Sequence, residues 1–206
     1  MTESLPWVLQ RVQDEGHAVF TRGEYNLNIV GVRTPPDKVN TFDDEIHLVY
    51  KDQTGAWVDL CFACTTDPGY YWLKHPMRRA GTAILKEGQY RGAYKIGLHR
   101  GRYIGLVQRK PVTCYRDRNR DDVLDMDPAT ETEGLYGINI HHAGHDSHRV
   151  DKWSAGCTVL GNLAEWNIFL AVIRRSAEEY GDTFTYTLID RDCAACGACP
   201  CECQTE

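Results

Sequence analysis

The most informative stretch of the chain is GINIHHAGHDSHRVDKWSAGCTVL, which covers residues 137–160. Its first part alternates apolar and polar residues up to His141, which is the pattern of a β-strand. A polar loop follows, then a glycine directly before Cys157 and a short apolar run after it. The stretch therefore predicts a strand and a tight turn that together present a histidine and a cysteine.

A cysteine nucleophile needs a base that takes its proton and backbone N–H groups that stabilise the oxyanion. His141 lies 16 residues before Cys157, and the loop between them is polar enough to fold back. Gly156 removes a side chain where a substrate carbonyl would approach, and it permits a tight turn. A thiolate–imidazolium pair of Cys157 and His141 would lower the pKa of the thiol. The competing interpretation is an ordinary buried cysteine beside a structural histidine.

This part of the chain resembles the catalytic domain of the L,D-transpeptidases (YkuD-type). The signature of that family is a strand-end histidine, a loop and then Ser/Thr-His-Gly-Cys. The matching residues here are Ile140-His141 and Ser154-Ala155-Gly156-Cys157. The resemblance is specific over residues 137–159 and looser over residues 25–160.

The resemblance implies a role for each matching residue. Cys157 would attack the carbonyl of the third, L-centred residue of a peptidoglycan stem peptide, expel a D-amino acid and pass the thioester to an amine or to water. His141 would be the general base, and the neighbouring His142 would orient it through its backbone. The backbone N–H groups of Gly156 and Cys157 would form the oxyanion hole. The positions that would shape the site are Ser154 and Trp153, and no cofactor is required.

Two departures from the family pattern indicate a divergent, hydrolytic member. Ala155 stands where the family has histidine, and Thr158-Val159-Leu160 replaces the usual Arg or Asn after the cysteine. The N-terminus shows no secretory signal, so we expect a protein made in the cytoplasm that reaches the cell wall after release or delivery. A stem-peptide carboxypeptidase or endopeptidase fits these facts better than a wall-building enzyme. A true L,D-transpeptidase and a non-catalytic cell-wall-binding module on the same fold are the alternatives.

The rest of the chain predicts a mainly β fold. Strands are predicted over residues 25–29, 46–50, 56–66, 93–98, 103–108, 111–115, 135–142 and 184–188. Ser4 is a candidate cap for a short N-terminal helix. Asn162, with Glu165 three residues on, predicts the start of a long helix after the cysteine motif, and Gly181 its end. Many short strands favour a β-sandwich or partly closed barrel of the L,D-transpeptidase type.

The composition is that of an ordinary globular protein. The chain has 206 residues, of which 42% are hydrophobic and 25% charged, and its formal net charge is −6, so we expect no nucleic-acid binding. No apolar run reaches the roughly 20 residues that span a bilayer. We expect one catalytic domain over residues 1–191, with peptidoglycan stem peptides as its partner, and a cysteine-rich tail over residues 192–206.

An acidic loop offers a second candidate site. Its oxygen ligands, at positions 1, 3, 5 and 9 of a calcium-type loop, are Asp117, Asn119, Asp121 and Asp125. The glycine and the glutamate that complete such a loop are replaced by Asp122 and Pro128. The pattern therefore favours a solvated acidic turn over a Ca²⁺ site.

The tail carries five of the nine cysteines, at Cys193, Cys196, Cys199, Cys201 and Cys203. Their CxxC and CxC spacings fit Zn²⁺ ligation, redox chemistry or a loose tail, so a metal-storage or redox protein is a third interpretation. Cys61 and Cys64 lie three apart on a predicted strand, so their thiols should face opposite sides and not pair. A zinc site could also be built from the histidines after residue 140, but their spacing is not that of a known zinc motif. These histidines are His141, His142, His145 and His148.

Overall fold

The computed structural model describes residues 4–35 and 39–191. In this part of the chain there are three α-helices: α1 (Trp7–Asp14), α2 (Tyr70–Lys74) and α3 (Leu163–Tyr180). The strands of the same part are β1 (Asn28–Arg33), β2 (Asp44–Lys51), β3 (Trp57–Thr65), β4 (Thr82–Leu85), β5 (Gly88–His99), β6 (Tyr103–Gln108), β7 (Val112–Asp117), β8 (Thr132–Gly134), β9 (Ile140–His142), β10 (Thr158–Leu160) and β11 (Thr183–Asp190).

Eight of the described strands close into a ring. Their hydrogen-bonded order is β1-β11-β5-β6-β9-β10-β3-β2, and β2 pairs again with β1. The β1/β11 and β9/β10 pairs are parallel and the other pairs are antiparallel, so the sheet is mixed. A small second sheet in the same part of the chain has the order β4-β7-β8. The prediction of a mainly β fold with an N-terminal helix and a long helix after the cysteine motif is confirmed.

The ring and α3 enclose the main hydrophobic core. Strand residues such as Ile29 and Leu106 are fully buried in it together with Trp166, Phe169 and Ile173 of α3. The Trp166 and Phe169 rings stack with their centroids 5.1 Å apart. Because these helix residues are spaced three or four apart, they form one apolar face, and that face covers the ring.

α1 packs on the outside of the ring, against the second face of β1. The buried residues of this cluster are Val8, Leu9, Val12, Val30, Val32, Val49 and Ile189. Because both faces of β1 are buried, its apolar residues do not alternate with polar ones, and the strand covers residues 28–33 rather than the predicted 25–29. The helix begins directly after Pro6, so the predicted cap at Ser4 was wrong.

A buried polar cluster joins the small sheet to the ring. Arg33, at the end of β1, is 1% exposed, and its guanidinium donates a hydrogen bond of 2.8 Å to the carbonyl oxygen of Leu85 in β4. The same guanidinium lies 3.0 Å from the carboxylate of Asp67. Asp44 in β2 accepts hydrogen bonds from the backbone N–H and the hydroxyl of Thr66. These contacts hold β4 at a defined place against the ring.

The cap of α3 forms as the sequence predicts. The side-chain oxygen of Asn162 accepts hydrogen bonds from the N–H groups of Ala164 and Glu165, at 2.8 and 3.2 Å. Gly181, with a φ of +81°, ends the helix. None of the described helices, α3 included, has the length and apolar character needed to cross a bilayer.

Replacing the cap residue should weaken the fold measurably. We expect Asn162→Ala to lower the free energy of unfolding by about 1 kcal/mol, because two backbone N–H groups lose their acceptor. Asn162→Asp keeps that acceptor and should remain close to the wild type. Urea denaturation of the three proteins measures both effects. Equal stability of the alanine variant and the wild type would show that the cap contributes nothing.

Candidate active site

The parallel pairing of β9 with β10 brings the two ends of the cysteine motif together. Thr158 pairs with Ile140, and Val159 pairs with His141. The N–H of Thr158 donates a hydrogen bond of 3.0 Å to the carbonyl of Asn139, just before β9. The loop between the strands therefore folds back, and it places Cys157 beside the start of β9.

The same pairing decides which side chains share a face of the sheet. Thr158 faces the core, where its hydroxyl lies 3.0 Å from the Tyr186 hydroxyl, and its partner Ile140 is also buried there. Side chains alternate along a strand, so Asn139, His141 and Cys157 lie on the opposite, outer face. The two residues predicted as nucleophile and base thus share one face of neighbouring strands.

Burial keeps the cysteine in its thiol form. Cys157 is 8% exposed, and burial raises the pKa of its thiol to about 11. Its sulfur accepts a hydrogen bond from the backbone N–H of Asn139 at 3.4 Å and donates one to the carbonyl of Gly137 at 3.5 Å. The sequence-based expectation of a lowered thiol pKa was wrong, because loss of water around the sulfur outweighs the hydrogen bond it accepts.

His141 is held as a neutral base. It is 1% exposed, and burial, assisted by the neighbouring His99, lowers the pKa of its imidazole to about 3. Its Nδ1–H donates to the carbonyl of His142 at 2.8 Å, and the Tyr103 hydroxyl lies 3.1 Å from the same nitrogen. This arrangement leaves Nε2 unprotonated, and that buried nitrogen has no hydrogen-bond partner within the described residues. The backbone of His142 thus contacts the base, as the resemblance implies.

His99 is a site residue that the sequence analysis missed. Its ring stacks on His141 with the centroids 3.9 Å apart, and burial lowers the pKa of its imidazole to about 4. The Asn139 amide donates to Nδ1 of His99 at 3.0 Å, while its oxygen accepts from the N–H of Gln108 at 2.9 Å. His99 therefore covers one face of the base and is itself fixed by Asn139. No local motif marks it, because it lies on β5, far away in sequence.

The turn before Cys157 is closed by Ser154. The Ser154 hydroxyl, which is fully buried, donates to the carbonyl of Cys157 at 2.8 Å and accepts from the N–H of Gly156 at 3.1 Å. The Gly156 N–H is therefore occupied, which corrects its predicted place in an oxyanion hole. Within the described chain, the N–H of Cys157 has no such partner and is the remaining candidate donor.

Gly156 is required at its position by space and by backbone conformation. Its φ is +117°, and a Cβ atom there would lie 2.3 Å from the carbonyl oxygen of Ala83 in β4. Strand β4 of the small sheet thus packs directly against the turn. This close approach explains why a glycine precedes the cysteine.

A cleft of about 240 Å³ opens in front of the cysteine. Its lining residues are Trp72, Met77, His99, Arg100, Tyr136, Gly137, Ile138, Asn139, Lys152, Trp153, Ala155 and Cys157. Trp153 is 43% exposed and forms one wall of the cleft, and its role in shaping the site stays a prediction. Trp72, on the short helix α2, forms another wall, and its indole N–H donates to the carbonyl of Lys152 at 3.1 Å.

Gln108 holds the loop that forms the floor of the cleft. Its side-chain oxygen accepts hydrogen bonds from the N–H groups of Tyr136, Gly137 and Ile138, at 2.8 to 3.1 Å. Its amide donates to the carbonyl of Gly134. The N–H groups of residues 136–138 therefore bond to a side chain rather than to a neighbouring strand, so the predicted strand 135–142 is reduced to β9.

The acidic loop does not gather its carboxylates around one point. Asp117 is fully buried and accepts from the N–H of Asp125 at 3.2 Å, and burial raises the pKa of its carboxyl to about 6. Asn119 donates to Asp121, so these two side chains bond to each other. Among residues 4–35 and 39–191, one group of three side chains has its potential metal-ligand atoms within 4.8 Å of one another, and that group does not lie in this loop. The solvated acidic turn stays the favoured prediction for this loop, with Ca²⁺ binding as its alternative.

The three side chains that do converge are Glu45, His47 and Cys61, on β2 and β3. Burial opposes protonation of His47, but hydrogen bonds to Asp59, Cys61 and Glu45 outweigh it and raise the pKa of the imidazole to about 11. The group is chemically able to hold a metal, and the sequence analysis missed it. The histidines after β9 form no such group in the described chain.

The remaining cysteine predictions divide between the described and undescribed parts of the chain. Cys61 is exposed and Cys64 is buried, so the expectation that they face opposite sides of β3 is confirmed. The tail over residues 192–206, with its proposed Zn²⁺ or redox chemistry, lies outside the described residues. A single domain over residues 1–191 stays a prediction.

The chain matches no family model, no curated protein and no solved structure. The likeness to L,D-transpeptidases is therefore a resemblance carried by residues 137–159. Function has to be inferred from the geometry of the site itself.

Removing the Gln108 side chain amide should loosen the floor of the cleft. We expect Gln108→Met to lower the free energy of unfolding by about 2 kcal/mol, because three N–H groups lose their acceptor. Amide exchange at residues 136–138 should accelerate in parallel. Gln53→Met, at an exposed turn, is the matched control and should change neither quantity. Unchanged exchange at residues 136–138 in Gln108→Met would contradict this role.

Proposed function

We propose that the protein is a cysteine-dependent acyl-transfer enzyme that cleaves amide bonds in peptidoglycan stem peptides. The observation that carries the proposal is a cysteine in a cleft with a buried, neutral imidazole on the same face of neighbouring strands. His141 keeps its proton on Nδ1, which leaves Nε2 as a base without a partner in the described chain. The resemblance of residues 137–159 to L,D-transpeptidases supplies the substrate class.

Burial determines how the first step proceeds. With a thiol pKa of about 11 and an imidazole pKa of about 3, both groups are neutral at pH 7. The S–H of Cys157 therefore turns from the carbonyl of Gly137 to Nε2 of His141. That nitrogen takes the proton as the sulfur attacks the substrate carbonyl carbon. Proton transfer accompanies the attack, and no thiolate forms beforehand.

The later steps return the proton through the same base. The N–H of Cys157 donates to the oxyanion of the tetrahedral intermediate. The C–N bond breaks as the leaving amine takes the proton from His141, and a thioester remains on Cys157. Water then attacks the thioester, its proton passes through His141 to the sulfur, and the carboxylic acid is released. An amine in place of water would give transpeptidation.

Hydrolysis is the favoured outcome in this site. The residues after Cys157 cannot hold an acceptor, because Thr158 bonds to Tyr186 in the core and Val159 is fully buried. The cleft instead carries the cationic side chains of Arg100 and Lys152, which suit an acidic peptide. The proposed role is therefore that of an L,D-carboxypeptidase or endopeptidase acting on the cell wall.

A non-catalytic wall-binding module is the second candidate, and one observation favours it. The Cys157 thiol has a raised pKa and donates its proton to the carbonyl of Gly137, as an unreactive structural thiol would. The two candidates differ in whether the substrate is chemically changed.

Product analysis by mass spectrometry separates the candidates. Defined muropeptides are incubated with the wild type, with Cys157→Ala and with Cys61→Ala, which removes an exposed thiol outside the cleft. We expect the wild type and Cys61→Ala to release a D-amino acid or a cross-linked partner. Cys157→Ala should be slower by at least about 10³-fold. Amino-acid exchange would show transpeptidation, and unchanged muropeptides with all three proteins would leave only the binding module.

The neutral pair also predicts the dependence of the reaction on pH. Because His141 stays unprotonated above about pH 3, kcat/KM should vary less than about twofold between about pH 5 and pH 8. Alkylation of Cys157 by iodoacetamide, followed by peptide mass spectrometry, should accelerate about tenfold for each pH unit in the range below its pKa. An alkylation rate that already levels off near pH 7 would reveal a preformed thiolate and contradict the neutral pair.

A further inference from the structure

Arg116, on β7, is a buried cation that has no acidic partner among residues 4–35 and 39–191. It is 5% exposed, and its Nε donates a hydrogen bond of 2.8 Å to the Thr132 hydroxyl. Its guanidinium lies over the Tyr136 ring, 4.1 Å from the ring centroid. Within the described part of the chain, its two terminal nitrogens make no hydrogen bond and no ion pair. A buried charge is costly unless it is paired, so this guanidinium is suited to an anion from outside the chain.

The strand pairing places Arg116 close to the nucleophile turn. Arg116 pairs with Ala83 across the small sheet, and the carbonyl of Ala83 is the atom against which Gly156 packs. A cavity of about 40 Å³ lies here, and it is lined by Arg116 and Ala155 among others. The lining residues that it shares with the Cys157 cleft are Trp72, Met77, Tyr136, Ile138 and Ala155. The cavity is therefore a side pocket of the cleft.

The size and lining of the side pocket define what it accepts. About 40 Å³ is room for a few heavy atoms, such as a carboxylate group, and too little for a further residue. The guanidinium offers two nitrogens on one edge, the geometry that matches a carboxylate. The small side chain of Ala155 keeps the passage open. Asp125 and Asp127 border a groove that Arg116 also lines, but neither forms an ion pair with it among the described residues.

We propose that Arg116 binds one carboxylate of the stem peptide in this side pocket and so orients the scissile bond toward Cys157. The inference rests on the proposed function and adds a specificity residue to it. The carboxylate has two sources in such a peptide: the C-terminus of the leaving D-amino acid and an acidic side chain of the acyl donor. Arg116 is a positioning residue for the reaction, since it reaches the substrate away from the reacting atoms.

Binding measured without turnover tests the pocket directly. Titration calorimetry uses the Cys157→Ala protein with three stem tetrapeptides: the free acid, the C-terminal amide and the side-chain amide. We expect one of the two amides to bind about tenfold more weakly than the free acid, which identifies the source of the carboxylate. Arg116→Met in the same background should reduce that difference to less than about twofold. Arg118→Met, at the exposed end of the same region, should preserve it.

A second variant guards against misfolding of the Arg116→Met protein. Ala155→Leu fills the side pocket and leaves the guanidinium in place, and it should remove the same preference. Free acid and amides that bind equally well, or a preference that survives both substitutions, would overturn the proposal.

Parallel turnover assays with the wild type separate this inference from the proposed function. Turnover without any carboxylate preference contradicts the role of Arg116 alone. A preference that depends on Arg116, without turnover, contradicts the enzyme and retains the pocket. Absence of both turnover and binding with all three peptides overturns both.

Discussion

The parallel pairing of β9 with β10 is the contact on which the rest of the molecule depends. It completes the ring of eight described strands, because β9 also pairs with β6 and β10 also pairs with β3. The same register places Cys157 beside Asn139 and on the face of His141. A shift of the pairing by one residue would place the two side chains on opposite faces of the sheet, so fold and site share one constraint. The intervening loop, closed by Ser154, is shaped to permit that register.

Burial gives this site its chemical character. The ring, the small sheet and helix α2, which carries Trp72, exclude water from the thiol and the imidazole. Both groups are thereby kept neutral. In the proposed mechanism, the neutral dyad avoids the cost of a buried ion pair in the resting state, and it would develop charge only as the substrate carbonyl is attacked. The polar cluster around Arg33 contributes indirectly, because it holds β4 against the ring and β4 supports Gly156. Residues that stabilise the fold and residues of the candidate site thus meet at the turn before Cys157.

Interactions between residues that are close in sequence were sufficient to predict part of the fold. The cap at Asn162, the end of α3 at Gly181 and the facing of Cys61 and Cys64 depend on residues a few positions apart, and all were predicted. The fold-back of the loop between His141 and Cys157 was also predicted, from a motif whose two halves flank that loop. The cap at Ser4 was wrong, because Pro6 already sets the start of the helix.

What could not be predicted depends on pairings between distant strands. Residues 135–139 alternate like a strand, yet the side chain of Gln108 accepts hydrogen bonds from the N–H groups of residues 136–138. His99 reaches the imidazole of His141 only because β5 pairs with β6, which in turn pairs with β9 in the ring. The raised pKa of the Cys157 thiol results from its burial by segments that carry no sequence motif. The N–H of Gly156 donates to the Ser154 hydroxyl, and no sequence pattern specifies the direction of that hydroxyl.

In the proposed reaction, Cys157 carries the acyl group between the two steps. This can be observed by intact-protein mass spectrometry of the wild type, quenched with acid during turnover of a stem tetrapeptide. We expect an added mass equal to the acyl part of the substrate, located on Cys157 by peptide mapping and removed by hydroxylamine. Product formation with no adduct on Cys157 under these conditions, or with the adduct on another thiol, would contradict it.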